Sequence, residues 1–192
     1  MDEIVLIVGR EKSVLQRHPW IFSGAVERVN GSPGPGATVE VLSSQGEWLC
    51  RAAYNPQSNI RARVWTFDSA EVVDAGLLRR RLTRALALRR NVIPLGETDA
   101  LRLVHGESDG LPGFIVDRYA DWLVVQCLTA GADCWKDALL ETLVEQTGIS
   151  QVYERSDVDV RRLEGLDVLQ GRGGAQAGQA RRINAYDPRV AR

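Results

Sequence analysis

The stretch ATVEVLSSQGEWLCRAAYNPQSNIRARVWTF, residues 37–67, decides the fold class of the N-terminal part of the chain. It contains three runs rich in β-branched and aromatic residues, separated by turn residues at 44–47 and 55–59. Such runs, bounded by Gly, Asn, Pro and Ser, are typical of short strands. In the last run Arg61 and Arg63 share one strand face, because side chains alternate along a strand.

The preceding residues add further short elements. Residues 4–8 (IVLIV) predict a first strand, 13–18 a single helical turn, and 20–29 an extended segment that leads to the turn cluster 31–36. Pro19 ends the helical turn, because the residue before a proline is disfavoured in the helical region. Five or six strands within about 67 residues predict a compact β barrel or pseudobarrel.

The chain changes character after residue 70. Residues 71–97 carry leucines at helical spacing together with six arginines, which predicts a connecting helix. Residues 98–170 alternate strand-like and helix-like segments and predict a small α+β domain. Residues 171–192 have no periodicity and few large apolar side chains, so we expect disorder there. The fold class is therefore mixed α and β, with a domain at 1–70, a helix at 71–97 and a second domain at 98–170.

Composition and motifs exclude several functions. The 192 residues are 44% hydrophobic with a net charge of −1, and no apolar run approaches the roughly 18 residues of a membrane helix. We therefore expect a cytoplasmic protein that makes no contact with a membrane. Three irregularly spaced cysteines and two isolated histidines predict buried apolar thiols and no metal site. No glycine-rich turn joins a strand to a helix, so no cofactor site is predicted.

The strongest local signal for binding is GREKSVLQRHPWIFSGAV, residues 9–26. Cations and aromatic rings alternate here, and such mixtures can neutralise phosphates and stack on bases. The alternative is that the aromatic residues belong to the core and the cations are solvated. The candidate RNA-binding residues are Arg10, Lys12, Arg17, His18 and Trp20, with Arg61 and Arg63 as further phosphate contacts.

A second polar cluster, His105 to Asp109, contains residue types that occur in catalytic sites. The residues are consecutive and bounded by Gly106 and Gly110, a pattern that equally predicts a hydrogen-bonded turn. A nucleophilic site would need residues that converge from separate segments. We therefore predict a turn and assign no catalytic residue.

Four segments together resemble the ribosomal large-subunit RNA methyltransferase I family. The resemblance covers residues 5 to about 170. The four segments are residues 9–26, GEWLCRAAYNPQSNIRARVWTFD at 46–68, RLVHGESDGLPGFIVDRYADWLVVQ at 102–126 and YERSDVDVRRLEGL at 153–166. It implies an N-terminal pseudouridine-synthase-and-archaeosine-transglycosylase (PUA) domain and a small central domain. In the family these precede a Rossmann-type domain that uses S-adenosylmethionine to methylate cytosine C5 of 23S ribosomal RNA.

The sequence departs from the family pattern after Leu166. No position matches the family's adenosylmethionine loop or its nucleophilic cysteine, and Cys50, Cys127 and Cys134 lie in the wrong segments. The resemblance therefore implies the RNA-binding portion of such an enzyme, with the Rossmann-type domain absent and no activity of its own. The compositional change near residue 170 suggests a frameshifted or truncated product.

Alternatives remain at this point. One is a non-enzymatic module that docks on RNA or on a protein through residues 101–170, which hold 13 acidic and 6 basic residues. A second alternative is a fragment that folds but has no function. The third, ranked last, is a small enzyme centred on His105, Glu107 and Asp109. If the central domain exposes an apolar face that another domain would cover, a homo-oligomer through that face is expected.

Overall fold

The structure is a computed structural model that describes residues 2–93 and 98–173, and it contains two sheets. The first sheet has six strands in the order β2-β6-β5-β4-β1-β3. All neighbours are antiparallel except β1 and β4, which are parallel. The elements of this part are β1 (Glu3–Leu6), α1 (Lys12–Leu15), β2 (Trp20–Phe22), β3 (Val26–Asn30), β4 (Thr38–Leu42), β5 (Trp48–Tyr54) and β6 (Ile60–Thr66).

The segment 20–29, predicted as one extended run, forms two strands that lie at opposite ends of the sheet. β2 pairs with β6, whereas β3 pairs with β1, and a 3-10 turn at Ser23–Ala25 separates them. The four steps along the chain from Phe22 to Val26 span at most about 14 Å between the two Cα atoms. A flat sheet of six strands would separate its edges by about 24 Å. The sheet must therefore curl until its edges approach, as a pseudobarrel does.

The interior of the curled sheet is a closed apolar cluster. It takes side chains from β1, β2, β4, β5 and β6, together with Val14 of the helical turn α1. Val14 is 2% exposed and holds α1 against the sheet. The remaining residues of α1 face solvent.

The second sheet has five strands in the order β11-β10-β9-β8-β7, with β10 parallel to β9 and the other pairs antiparallel. α2 begins at the N-cap Asp74, whose side chain accepts a hydrogen bond from the backbone N–H of Leu77. Its apolar side chains pack on the sheet, so it belongs to the core of the central domain. The elements are α2 (Ala75–Val92), β7 (Ala100–His105), β8 (Phe114–Tyr119), β9 (Trp122–Cys127), α3 (Ala130–Cys134), α4 (Lys136–Thr147), β10 (Gln151–Ser156), α5 (Asp159–Leu163) and β11 (Leu169–Gly173).

The helical part of residues 130–147 consists of two helices that meet at Trp135. The N-cap of α3 is Thr129, whose side chain accepts a hydrogen bond from the backbone N–H of Ala132. α4 ends at Gly148, whose φ of 71° is the left-handed conformation of a helix C-cap. α2 spans Ala75–Val92 within the segment 71–97 that was predicted to hold the connecting helix, and Pro94 and Gly96 lie outside the described residues.

The two sheets are joined by a shared apolar core. Ala53 and Trp65, on the outer side of β5 and β6, are 6% and 3% exposed and belong to the core of the central domain. A Cβ placed on Gly131 of α3 would lie 2.6 Å from the Cβ of Ala53 and 3.1 Å from the ring of Trp65. The absence of a side chain at 131 therefore lets α3 approach the first sheet.

Two expectations about the chain after 170 and about the cysteines need correction. Residues 171–173 belong to β11, whose ladder with β10 uses backbone groups and so needs no apolar pattern. Residues 174–192 lie outside the described residues. Cys50 and Cys127 are buried as predicted, but Cys134 is exposed.

No helix in the two described ranges is long and apolar enough to cross a membrane.

Candidate nucleic-acid interface

The exposed cations around α1 form the candidate surface, which we call the α1 surface and define by Arg10, Lys12, Arg17 and His18. Gly9 has a φ of 80° and turns the chain out of β1. Arg17 has a φ of 64°, an uncommon left-handed conformation for a residue with a side chain, and it ends the helical turn. The side chains of all four residues are therefore presented to solvent beside the anchored Val14.

The cations of the α1 surface lack carboxylate partners. Within residues 2–93 and 98–173, neither Arg10 nor Lys12 forms an ion pair. The guanidinium of Arg17 lies 4.9 Å from the ring centroid of Phe67 and donates a long hydrogen bond of 3.5 Å to the carbonyl oxygen of that residue. Charge that is not neutralised within the protein remains available to an anionic partner.

His18 and Trp20 are connected by a backbone hydrogen bond. The N–H of Trp20 lies 3.2 Å from Nδ1 of His18, and the same nitrogen lies 3.3 Å from the carbonyl oxygen of Trp20. The two rings are 5.8 Å apart and edge-on. His18 is exposed and Trp20 is half-buried, so the histidine can reach a ligand more readily than the tryptophan.

Trp20 also contacts the central domain. Its indole Nε1 donates to Oε1 of Glu107 at 2.9 Å, and Glu107 lies in the 3-10 turn Gly106–Asp109. The indole N–H is therefore occupied, and only the ring is left for contact with a base. Phe22, two residues further along β2, is 50% exposed and lies edge-on to Trp20 at 6.4 Å.

Phe22 is the exposed aromatic residue that sequence reasoning did not select as a site residue. The alternation along β2 could have identified it, because the intervening Ile21 is 1% exposed and packs in the core. Val8 and Leu15 are 76% and 63% exposed, so apolar surface accompanies the cations.

Arg61 and Arg63, predicted as phosphate contacts on an exposed strand face, are used inside the molecule. Arg61 donates to the carbonyl oxygens of Asn55 and Pro56 and closes the turn before β6. Arg63 is 8% exposed, because the central domain covers the strand face that sequence alternation assigned to solvent. Neither residue is part of the α1 surface.

Arg63 belongs to a buried set of polar contacts between the domains. We call this set the interdomain network and define it by Arg63, Glu107, Glu164, Asn55 and Ser58. Arg63 donates to Oε1 of Glu107 at 3.0 Å and to Oε1 of Glu164 at 3.2 Å. Both domains therefore supply charged groups to one desolvated site.

Glu164 is the more enclosed of the two acids in the interdomain network, at 3% exposure. Its Oε1 also accepts from Ser58 Oγ at 2.7 Å. Its Oε2 accepts from Asn55 Nδ2 at 2.9 Å and from the backbone N–H of Ala130 at 3.4 Å. A buried carboxylate needs such partners, because an unpaired charge is strongly disfavoured in the protein interior.

The cluster predicted as a turn is a 3-10 turn whose side chains diverge. Asp109 accepts two hydrogen bonds from Arg89 at 2.5 and 2.8 Å, and one from the backbone N–H of His105. Glu107 instead points to the first domain, and the side chain of His105 is exposed. The turn is confirmed, although its carboxylates are held by arginines rather than solvated. The three side chains do not converge on one reaction site.

The acidic block 101–170 is largely neutralised by arginine and lysine side chains. Glu145, for example, accepts from Arg79 at 2.7 Å, and this hydrogen bond lowers the pKa of the Glu145 carboxyl and raises the pKa of Arg79. The carboxylates of the block that form ion pairs are Glu107, Asp109, Asp117, Asp133, Glu145, Glu154, Asp157, Asp159 and Glu164.

The thiols do not have the environment of a nucleophile. Burial, and to a lesser extent Glu40, raises the pKa of Cys50 to about 12. Burial likewise raises the pKa of Cys127. A thiolate is the reactive form, so both residues are inert at neutral pH.

The described residues contain no group of metal ligands, and their glycine cluster at 31–36 does not join a strand to a helix. Nowhere in 2–93 or 98–173 do three or more His, Cys, Asp or Glu side chains group as metal ligands. The glycine cluster 31–36 connects β3 to β4 rather than a strand to a helix. A Cβ on Gly36 would lie 2.5 Å from the carbonyl oxygen of Ala130, so this backbone is already packed against the central domain.

Comparison with known proteins finds a PUA-like domain and relatives named as ribosomal RNA methyltransferases. Residues 4–67 match the family model of the PUA-like domain. Over 168 residues, which are 88% of this chain, it is 49% identical to ribosomal RNA large subunit methyltransferase I of Citrobacter koseri and 48% identical to that of Escherichia coli K12. The chain spans 42% of the length of each of these relatives. The predicted resemblance is therefore confirmed.

Solved structures share the fold at low sequence identity. One is a Streptococcus mutans protein described as a SAM-dependent methyltransferase, with a TM-score of 0.69 and 15% identity over 81% of this chain and 40% of that one. Another is a methyltransferase complexed with SAH, with a TM-score of 0.70 and the same identity and coverage. At this identity the likeness shows the mixed α and β fold.

Proposed function

We propose that this chain, which over 88% of its length is homologous to ribosomal RNA large subunit methyltransferase I, supplies the RNA-binding portion of such an enzyme. The RNA is 23S ribosomal RNA, and the contact is made by the α1 surface of the PUA-like domain. The observation that carries the proposal is the presence of exposed cations without carboxylate partners on that domain.

The distribution of ion pairs supports this choice of surface. The arginines of α2 are largely engaged with acids, as Arg79 is with Glu145, Arg81 with Glu71 and Arg89 with Asp109. Burial lowers the pKa of Arg81, although Glu71 opposes that shift. The α1 surface, in contrast, keeps its charge for an external anion. Phosphate binding by such cations supplies most of the affinity for RNA and depends steeply on salt.

Methyl transfer is not part of the proposed activity of this chain. Cytosine C5 methylation in the family uses a cysteine nucleophile and a bound S-adenosylmethionine. The buried thiols of Cys50 and Cys127 are protonated at neutral pH, and the glycine cluster at 31–36 does not join a strand to a helix. We expect no incorporation above a blank when the chain is incubated with labelled S-adenosylmethionine and deproteinised 23S ribosomal RNA, and incorporation would contradict this part of the proposal.

RNA binding is tested by reversing two charges of the α1 surface. The variant Lys12→Glu/Arg17→Glu should bind deproteinised 23S ribosomal RNA about tenfold or more weakly in a filter-binding titration at low salt, because two phosphate contacts become repulsive. The matched control is Arg118→Glu/Arg162→Glu, which makes the same change in net charge at exposed positions of the central domain. Equal loss in both variants, or no loss in the first, would contradict the proposal.

Location and self-association follow as lesser proposals. We place the protein in the cytoplasm, because ribosomal RNA is found there and the relatives are bacterial ribosomal RNA methyltransferases. Self-association remains a prediction, and sedimentation velocity of the purified chain measures it directly.

A further inference from the structure

Trp20 is held by a residue of the other domain. Its indole Nε1 donates to Oε1 of Glu107 at 2.9 Å, although 87 positions separate the two residues in the chain. Glu107 lies in a short turn between Gly106 and Gly110, which have φ angles of 51° and 71°. Such angles favour glycine and fix the course of the turn.

A second donor holds the same carboxylate oxygen. Arg63 Nη1 donates to Oε1 of Glu107 at 3.0 Å, and its guanidinium lies 5.3 Å from the ring centroid of Trp20. The side chain of Arg63 is 9% exposed and that of Glu107 is 26% exposed. Trp20, Arg63 and Glu107 therefore contact one another in a closed set that is partly shielded from solvent.

The closed set is continuous with the α1 surface. The backbone N–H of Trp20 donates to His18, and the ring of His18 lies edge-on to the indole at 5.8 Å. The ring of Phe22 lies edge-on to the indole at 6.4 Å and is half exposed. The orientation of Trp20 thus influences the two side chains that border the cations.

We infer that Glu107 of the central domain is a positioning residue for the RNA-binding surface of the first domain. It acts through Trp20, whose fixed indole holds His18 and Phe22 in the orientation that meets RNA. A surface that is ordered before binding loses less conformational entropy when it binds. The inference rests on the proposed RNA binding by the α1 surface.

The sign of the effect separates positioning from simple electrostatics. Glu107 carries a negative charge, so its removal should strengthen binding to RNA if only long-range Coulomb forces act. Removal of a positioning residue should instead weaken binding. Glu107→Ala is expected to bind deproteinised 23S ribosomal RNA about three- to tenfold more weakly, the effect of one lost hydrogen bond.

Two further variants make the test specific. Glu107→Gln keeps an oxygen that accepts from Trp20, so its affinity should remain close to that of the unmodified chain. Glu47→Ala removes an exposed acid of the first domain that has no contact with Trp20, and its affinity should be unchanged or slightly higher. If Glu107→Gln binds RNA as weakly as Glu107→Ala does, the inference is overturned.

A double-mutant cycle measures the link to Trp20. Trp20→Phe lacks the indole N–H, so it should weaken binding, and adding Glu107→Ala to it should cause little further loss. If the affinity loss of the double variant equals the product of the two single-variant losses, the residues act independently and the inference is overturned. If circular dichroism shows that Glu107→Ala does not fold, the test relies on Trp20→Phe and Glu107→Gln. RNA binding by Trp20→Phe as tight as that of the unmodified chain would then overturn the inference.

The outcome is distinguishable from failure of the proposed function. If Lys12→Glu/Arg17→Glu binds RNA as tightly as the unmodified chain, the α1 surface is not the RNA site and the proposed function fails. If that variant loses binding while Glu107→Ala binds as tightly as the unmodified chain or more tightly, only the positioning role of Glu107 is overturned.

Discussion

The α1 surface and the interdomain network are built from similar side chains but differ in what their arginines contact. In the α1 surface, Arg17 rests on Phe67 and has no acidic partner among the described residues. In the interdomain network, Arg63 lies over Trp20 and donates to Glu107 and Glu164. The difference teaches that a carboxylate partner, rather than the aromatic neighbour, decides whether an arginine of this protein is available to an external anion.

The two regions also differ in how they depend on the rest of the chain. α1 is held by Val14, which packs in the core of its own sheet. The interdomain network requires both domains, because its two acids come from the turn after β7 and from the end of α5. Changes in the network should therefore affect stability, whereas changes in the α1 surface should affect only binding.

The largest expected effect is the loss of stability in Glu164→Ala. Removing this carboxylate leaves the buried Arg63 without one of its two acidic partners and leaves Ser58 without its acceptor. Asn55 loses one of its two acceptors and keeps the backbone carbonyl oxygen of residue 164. We expect the free energy of unfolding, measured in urea, to fall by about 3 kcal/mol.

The control for this prediction is Glu145→Ala, which removes an acid that is paired with Arg79 on the surface. Its free energy of unfolding should change little, because exposed ion pairs contribute little. Similar losses in the two variants would show that the interdomain network does not join the domains as the structure indicates.

A smaller loss of stability is expected for Gly131→Ala. Alanine ordinarily stabilises a helix relative to glycine by about 1 kcal/mol. Here the added Cβ would meet Ala53 and Trp65 of the first sheet at 2.6 and 3.1 Å. We expect a destabilisation of about 1–3 kcal/mol in thermal or urea unfolding, because the domains must separate to accept the methyl group.

Gly24→Ala is the matched control for Gly131→Ala. No atom lies within 4 Å of a Cβ at Gly24, and its φ is not in the left-handed region. Its stability should stay within about 0.5 kcal/mol of the unmodified chain. A stabilised Gly131→Ala variant would contradict the close packing of α3 on the first sheet.

The smallest effect concerns the salt dependence of RNA binding. Lys12→Ala should reduce the slope of log K against log salt by about 0.7–0.9, the effect of losing one phosphate contact. Arg79→Ala should leave the slope unchanged, because Arg79 is already paired with Glu145. Neither variant should alter the unfolding transition. Equal slopes for the two variants would remove the distinction between paired and unpaired cations.

The sequence predicted the elements well where the signal was local. β4, β5 and β6 follow from alternating runs bounded by turns, and the end of α4 follows from Gly148. The prediction for segment 20–29 is less complete. Its residues indicate extended structure but do not indicate that β2 and β3 pair with different strands. Pairing between strands is decided by contacts that are distant in the chain.

The candidate site was predictable in part for the same reason. Exposure of Arg10, Lys12, Arg17 and His18 agrees with their place around a short helical turn that buries only Val14. Burial of Arg63 was not predictable, because alternation on a strand indicates which residues share a face and not what covers that face. Its acidic partners are 44 and 101 positions away in the chain.

The sequence by itself determined many of the strands and helices, the resemblance to the ribosomal RNA methyltransferase family and the cationic character of residues 10–18. These properties depend on residue types and on spacing within a few positions. Only the tertiary structure decided which arginines stay free, because ion pairs form between side chains that folding brings together. Glu107 and Glu164 cross to the first domain and withdraw Arg63 from solvent, and no acid of the described chain does so for Arg10 or Lys12.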